Sequence, residues 1–301
     1  MEYEVVRSYG GPPHPEFQSS LPRRFPVTLR KWIATVAVAA GSVAFASGAD
    51  PDAKGAKVPE PSQLTFGTLR AMPAEVAKAK VADWLKAAGK LDTAKLESIW
   101  QVSDKTVMTR VLESIALGNP DAQKVLDNAR DVTADAPTAV PAAIAAEKDA
   151  FVKTNLGAAY ARALAGKKVY EEALLAVKDA KPEELVDPSA FYFFKAVAEH
   201  SLGGYQKAKK IDAVNTIVRL VDDVVDAPDR YRVVATQMFF DIQNWAKDDK
   251  DLGNIAKLMD NSGRRLDLAR GGNTTQDIQK RIIFRLDEKI KELENQQKGG
   301  S

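Results

Sequence analysis

The 301-residue chain contains no cysteine. Disulfides, thiolate metal centres, thiol nucleophiles and a lipid-modified N-terminal cysteine are thereby excluded, and stability must come from packing alone. Histidine is nearly as scarce, with only His14 and His200. A zinc site built from several histidines cannot form in a chain shortened past His14, and a Ser/His/Asp triad would have to use His200. An excess of one charge is also missing, since 43 basic side chains face 41 acidic ones. Nucleic acid is therefore not an expected partner, because duplex binding depends on clustered positive charge that displaces counterions from phosphates.

What is present first is an address. In Leu29 to Asp50, LRKWIATVAVAAGSVAFASGAD, the cations Arg30 and Lys31 lead into the apolar run Trp32 to Val43, followed by Ala44-Phe45-Ala46. A basic start, an apolar middle and small residues at a cleavage site are the parts of a secretory signal. Cleavage is expected after Ala46, with Ala49 as a second site, and contact with the membrane is then transient. The run is shorter than the roughly 18 to 20 residues that span a bilayer. A retained, membrane-anchoring segment is the alternative. Residues 1–26 carry Gly-Gly, Pro-Pro and no apolar periodicity. A GTG start codon at Val27 would give a signal of ordinary length, and a disordered cytoplasmic tail is the competing reading. The product is expected to be periplasmic or secreted. Residues 1–46 hold five basic and three acidic side chains, so their removal leaves 38 of each and no net charge.

Beyond the signal, residues 47–63 are Pro, Gly and charge, as in a flexible linker. Residues 64–130 carry closely spaced helix punctuation and read as a small helical bundle. Pro73 opens a helix with Val76, Val81, Trp84 and Leu85 that closes near Gly89. Leu91 to Trp100 follows, then Val107 to Leu117 with Ser103 or Asp104 as N-cap, and Gly118-Asn119-Pro120 divides that helix from the next. Residues 131–141, DVTADAPTAVP, read as a second linker. From residue 142 to 226 the helices lengthen. Phe151, Leu156, Tyr160 and Leu164 are followed by Tyr170, Ala173, Leu174 and Val177, and then Phe191, Phe194, Val197 and Leu202 by Tyr205, Ala208, Ile211, Val214 and Val218.

These hairpins resemble tetratricopeptide repeats. Leu156-Gly157-x-x-Tyr160 and Tyr170-Glu-Glu-Ala173 match the first and second helix signatures, with a turn between them about four residues longer than the family pattern. In the second copy Leu202-Gly203-Gly204-Tyr205-Gln-Lys-Ala208 matches the turn, without the upstream signature. The resemblance covers about 80 residues and implies antiparallel helices brought close by small residues, with aromatics filling the groove to the next pair.

Residues 227–301 read as C-terminal helices ending in a long amphipathic one. Pro228 starts a helix with Val233, Val234, Met238, Phe239, Ile242 and Trp245. Another, from about Leu252 to Leu268, carries Ile255, Leu258, Met259 and Leu266. The last, capped by Thr274 or Thr275, places Ile283, Leu286, Ile290 and Leu293 in an a/d seam of two heptads. That seam is expected to pack back onto the domain, with dimerisation as the alternative. Residues 263–294 are similar to the C-termini of uncharacterised exported bacterial proteins, a resemblance that carries no activity with it.

The chemistry-bearing side chains are few. His200 follows Glu199, but adjacent helical residues point about 100° apart, so a surface or helix-terminal histidine is expected. Asp248, Asp249 and Asp251 lack the spacing of a calcium loop, and Gly166-Lys167-Lys168 lacks the first glycine of a phosphate loop. Arg264, Arg265 and Arg270, with Lys280, Arg281 and Arg285, form the densest basic cluster. Beside a helix N-terminus they would bind an anion, or they would pair with Asp260, Asp267 and Asp277. Of the aromatics Phe191 to Phe194, Tyr192 or Phe193 would line a peptide-binding surface.

The sequence thus predicts an exported all-α protein, a helical bundle plus tetratricopeptide-like hairpins preceded by a signal peptide. Its expected role is non-catalytic, holding a protein or peptide in the bacterial cell envelope, with Tyr192, Phe193, Arg264 and Arg265 as candidate ligand-binding residues. No catalytic residue, metal site or cofactor is expected. The alternatives are a carboxylate-dependent hydrolase of an envelope polymer, which needs a raised-pKa carboxyl in a cleft, and a membrane-tethered structural protein.

Overall fold

Short runs of apolar residues at helical spacing, several of them opened by a polar side-chain cap, make the described part of this chain all-helical. The computed structural model describes residues 66–298. The expected signal, the leader before it and the whole of the expected linker 47–63 lie outside the described residues. Among those that are described there are twelve α-helices and no strand, only an isolated bridge between Leu69 and Val224.

Four short helices come first: α1 (Ala74–Ala87), α2 (Thr93–Gln101), α3 (Val107–Gly118) and α4 (Pro120–Arg130). The side chain of Asp92 accepts the Lys95 N–H to start α2. Thr106, rather than Ser103 or Asp104, caps α3: its backbone is extended, and its hydroxyl accepts the Thr109 N–H. Asn119 ends α3 and caps α4, with Pro120 at the first helical position, where a missing N–H costs nothing. Val81, Leu85, Val111, Ile115 and Leu126 are buried between these helices, and the Trp100 indole N–H is satisfied by Ser114 Oγ at 3.0 Å.

Residues 131–141 are irregular, but they are tied down. The Lys167 ammonium donates to the carbonyls of Asp131 and Ala134. Beyond the one-turn α5 (Ala142–Ala145), the helix α6 (Ala150–Gly166) is the axis of the fold. It packs against α1, α3 and α4 on one side and against α7 (Tyr170–Ala176) and α8 (Pro188–Gly203) on the other. Its central position explains why Leu156, Tyr160 and Leu164 are all buried. Burial pushes the Tyr160 phenol up to about 12, aided by the nearby Glu172 carboxylate. α6 and α7 approach so closely at Gly157 that a Cβ there would lie 2.6 Å from the Ala176 carbonyl oxygen. Any side chain at 157 would push the pair apart.

α8 and α9 (Lys207–Val218) form a second antiparallel pair, and α9 ends in a single π-helical turn, Arg219–Asp223. The first described residues are stitched to that turn. Asp223 Oδ1 accepts both the Thr68 N–H and the Thr68 hydroxyl, and Leu69 N and Val225 N complete the bridge. α10 (Asp229–Asn244) packs on α8. The chain ends in a hairpin of α11 (Leu252–Asp267) and α12 (Asn273–Lys298).

Candidate interaction site

The C-terminal hairpin distributes its side chains in an unusual way. Between the helices lies a small core of Ile255, Leu258, Ile278 and Ile282, with Tyr205 and Leu286 against it. The seam of α12 therefore runs through 278, 282 and 286. This differs from the expected Ile283–Leu286–Ile290–Leu293 seam, of which only Leu286 faces the hairpin core. A short partner helix reads one i, i+4 ridge of α12, and Ile283, Ile290 and Leu293 are left more than half exposed.

Toward the rest of the protein the hairpin presents charge. Arg264, Arg265 and Arg270 converge on Glu171 and Glu172 at the start of α7, 93 to 98 residues away. Arg264 is bidentate to the Glu171 carboxylate at 2.7 and 2.9 Å, and Arg265 Nη1 reaches the same group at 2.7 Å. Arg270 donates to Glu172 at 2.9 Å and to the Pro137 carbonyl. The three arginine side chains are only 8, 13 and 12% exposed. Arg265 Nε also donates to Thr275 Oγ1, whose hydroxyl turns to the Arg270 carbonyl. Burial on its own would raise the Glu171 carboxyl, and the hydrogen bonds and charge of Arg264, with Arg265, outweigh it, so the group titrates below its ordinary value. The Arg264 guanidinium also lies 5.2 Å from the centre of the Tyr170 ring. The aspartates 260, 267 and 277 take no part in this cluster.

The face of the hairpin turned away from this cluster is apolar. Leu252, Met259 and Leu266 recur at intervals of seven along α11, and each is half or more exposed. Tracking both helices from the Ile255–Ile282 contact at about 3.6 residues per turn puts them on the same flank as Ile283 and Ile290. Leu293 belongs instead to the Ile282–Leu286 ridge, where α12 outruns α11. Lone exposed apolar residues are ordinary, but five in one stripe are not.

The two aromatic candidates lie elsewhere. Tyr192 is buried on α8, edge-on to Phe191 at 5.0 Å with the Arg219 guanidinium near its ring, and burial raises its phenol. Phe193 is half-buried and stacks on Tyr231 of α10, ring centres 4.2 Å apart. Arg264 and Arg265 are the pair the fold brings together. His200 sits in the last turn of α8, where its Nε2 shares a 2.8 Å hydrogen bond with Asp241, which also accepts the Trp245 N–H. Its neighbour Glu199 turns inward to Lys195 and Thr216.

No enclosed chemistry stands out. The cavity between α6, α7 and α8, lined by Ala158, Ala161, Ala173, Phe191 and Phe194, measures about 10 Å³, room for one water. Among the described residues, no three His, Asp or Glu side chains are arranged to hold a metal ion, and no helix is long and apolar enough to cross a membrane. Sequence reasoning missed Glu171 and Glu172 as the arginine partners and the outward face of α11 as a surface. The interval of seven between Leu252, Met259 and Leu266 was the available signal. Comparison with protein-family models, with curated proteins and with solved structures finds no match to this chain.

Proposed function

We propose that the chain is a non-catalytic binding or scaffold protein of the bacterial cell envelope, which holds a protein partner on the apolar face of its C-terminal hairpin. The observation that carries this reading is the five-residue stripe Leu252, Met259, Leu266, Ile283 and Ile290, left uncovered while the charged side of the same hairpin is buried. A hairpin that spends its arginines on the interior and leaves leucine, isoleucine and methionine outside has its driving force for association on the surface. The tetratricopeptide-like pairing of α6 with α7 and of α8 with α9 supplies a rigid frame that presents the stripe. The Glu171 carboxyl, enclosed by arginines, titrates below its ordinary value, whereas a glycosidase-type acid needs the opposite shift.

The test is retention of envelope proteins on the immobilised chain. The wild-type chain is expected to retain a partner that a Met259→Asp, Ile283→Asp variant releases, with helicity unchanged by circular dichroism. Equal retention by both, or none by either, would remove the reading.

A further inference from the structure

We infer that the partner of this face is a second copy of the same chain, the two hairpins closing into an antiparallel four-helix bundle; the inference rests on the binding reading above. Three observations favour a second copy over any other occupant. The first is geometry. Turning the hairpin by half a turn about an axis parallel to its helices lays α11 over the partner copy's α12, with every neighbouring pair antiparallel, which is the arrangement of an up-down bundle. The heptad-spaced residues of both helices then meet at one seam.

The second is charge. The bonds Arg265 Nε to Thr275 Oγ1 and Lys250 Nζ to Glu292 Oε1 set the register within the hairpin, so that residue 260 lies level with residue 280. Under the two-fold operation Asp260, on the rim of α11 next to Met259, comes to face Lys280 on the rim of the opposite α12. Among the described residues Asp260 has no ion pair, and Lys280 has only an exposed contact of 3.6 Å to Asp277. Between Gly253 and Gly263 the rim of α11 is otherwise small, with Gly253, Ala256 and Gly263, and a Cβ on Gly263 would meet nothing within 4 Å; Asp267 ends it. A second helix can therefore come close.

The third is size. α11 has 16 residues, about 24 Å, and two helices side by side are about 20 Å wide. The footprint is roughly 500 Å² per copy, near the ~1,000 Å² total that specific interfaces reach. The end of a helical array normally carries a polar outer face; here the end is apolar and closes on itself.

The experiment is sedimentation equilibrium of the purified full chain and its variants. Wild type is expected to show twice the chain mass in a concentration-dependent way. Met259→Asp and, separately, Ile290→Asp should raise the dissociation constant by about a hundredfold or more with helicity retained. Because the chain has no cysteine, the register can be read covalently. The double variant Asp260→Cys, Lys280→Cys should form a disulfide-linked dimer on oxidation, and neither single variant should. Wild type at single-chain mass up to ~100 µM, a dimer indifferent to both charge variants, or a dimer without the cross-link overturns the inference. A single-chain protein that still retains an envelope protein through Met259 overturns self-pairing and leaves the broader reading standing; one that retains nothing removes both.

Discussion

Around α6 and α8 the apolar side chains are inside, with Leu156, Leu164, Leu202 and Leu220 almost wholly buried. In the α11–α12 hairpin, beside a small apolar core, three arginines are inside and seven large apolar side chains are outside. The two regions are held by different physics. The body gains from area removed from water, which is non-directional and forgiving of small shifts. The hairpin is joined to α7 by a bidentate guanidinium pair, which is directional and intolerant of shifts. A buried ion pair adds little net stability compared with an apolar replacement, but losing one partner is costly. The hairpin is thus fixed in orientation by charge as well as by its small apolar core, and the leucines and isoleucines of its outer flank stay free for another surface.

The contrast can be broken most forcefully at Glu171. Glu171→Ala strands Arg264 and Arg265 without their carboxylate and should lower unfolding stability by about 3–5 kcal/mol in urea titration. A combined Glu171→Leu, Arg264→Met, Arg265→Met chain should recover much of that loss. In the body, Leu202→Ala should cost about 2–5 kcal/mol through the cavity it leaves, with no apolar rescue by a neighbouring change. A smaller effect comes from pH. The Glu171 carboxyl titrates lower in the fold than in the unfolded chain, so its contribution is complete above about pH 4.3 and fades as pH falls through the folded value. Denaturation midpoints measured downward from pH 5 should fall faster in wild type than in Glu171→Gln. The smallest change in intrinsic stability belongs to the outer face. Met259→Ser, measured at concentrations where only single chains exist, should shift stability by about 0.5 kcal/mol or less. A larger loss would mean that the stripe is part of the core.

Local signals were legible in the sequence where they are settled within a few residues. The Gly118-Asn119-Pro120 boundary combines a cap and a first-turn proline, and both act locally. The start of α12 at Asn273 lies within one or two residues of the expected cap, while α11 ends at Asp267, with Ala269 just beyond it in the left-handed region at φ 56°. Two other matters depended on distance. Arg264 has aspartates close by in sequence, yet its partner is a glutamate 93 residues away on α7. On α12 two apolar ridges coexist, Ile278–Ile282–Leu286 and Ile283–Ile290, and only the place of α11 decides which is buried. Spacing reveals both ridges without ranking them. Tyr192 is a similar case, since four consecutive aromatics cover every side of a helix and say nothing of which side meets α9.

The stitch between Thr68 and Asp223 sets a timetable for the molecule. Its two halves are 155 residues apart, and a chain leaving any narrow exit N-terminus first cannot close it until Val224 has followed. The Thr68 segment thus waits for its partner while the middle is still arriving, and this bridge is among the last contacts to close.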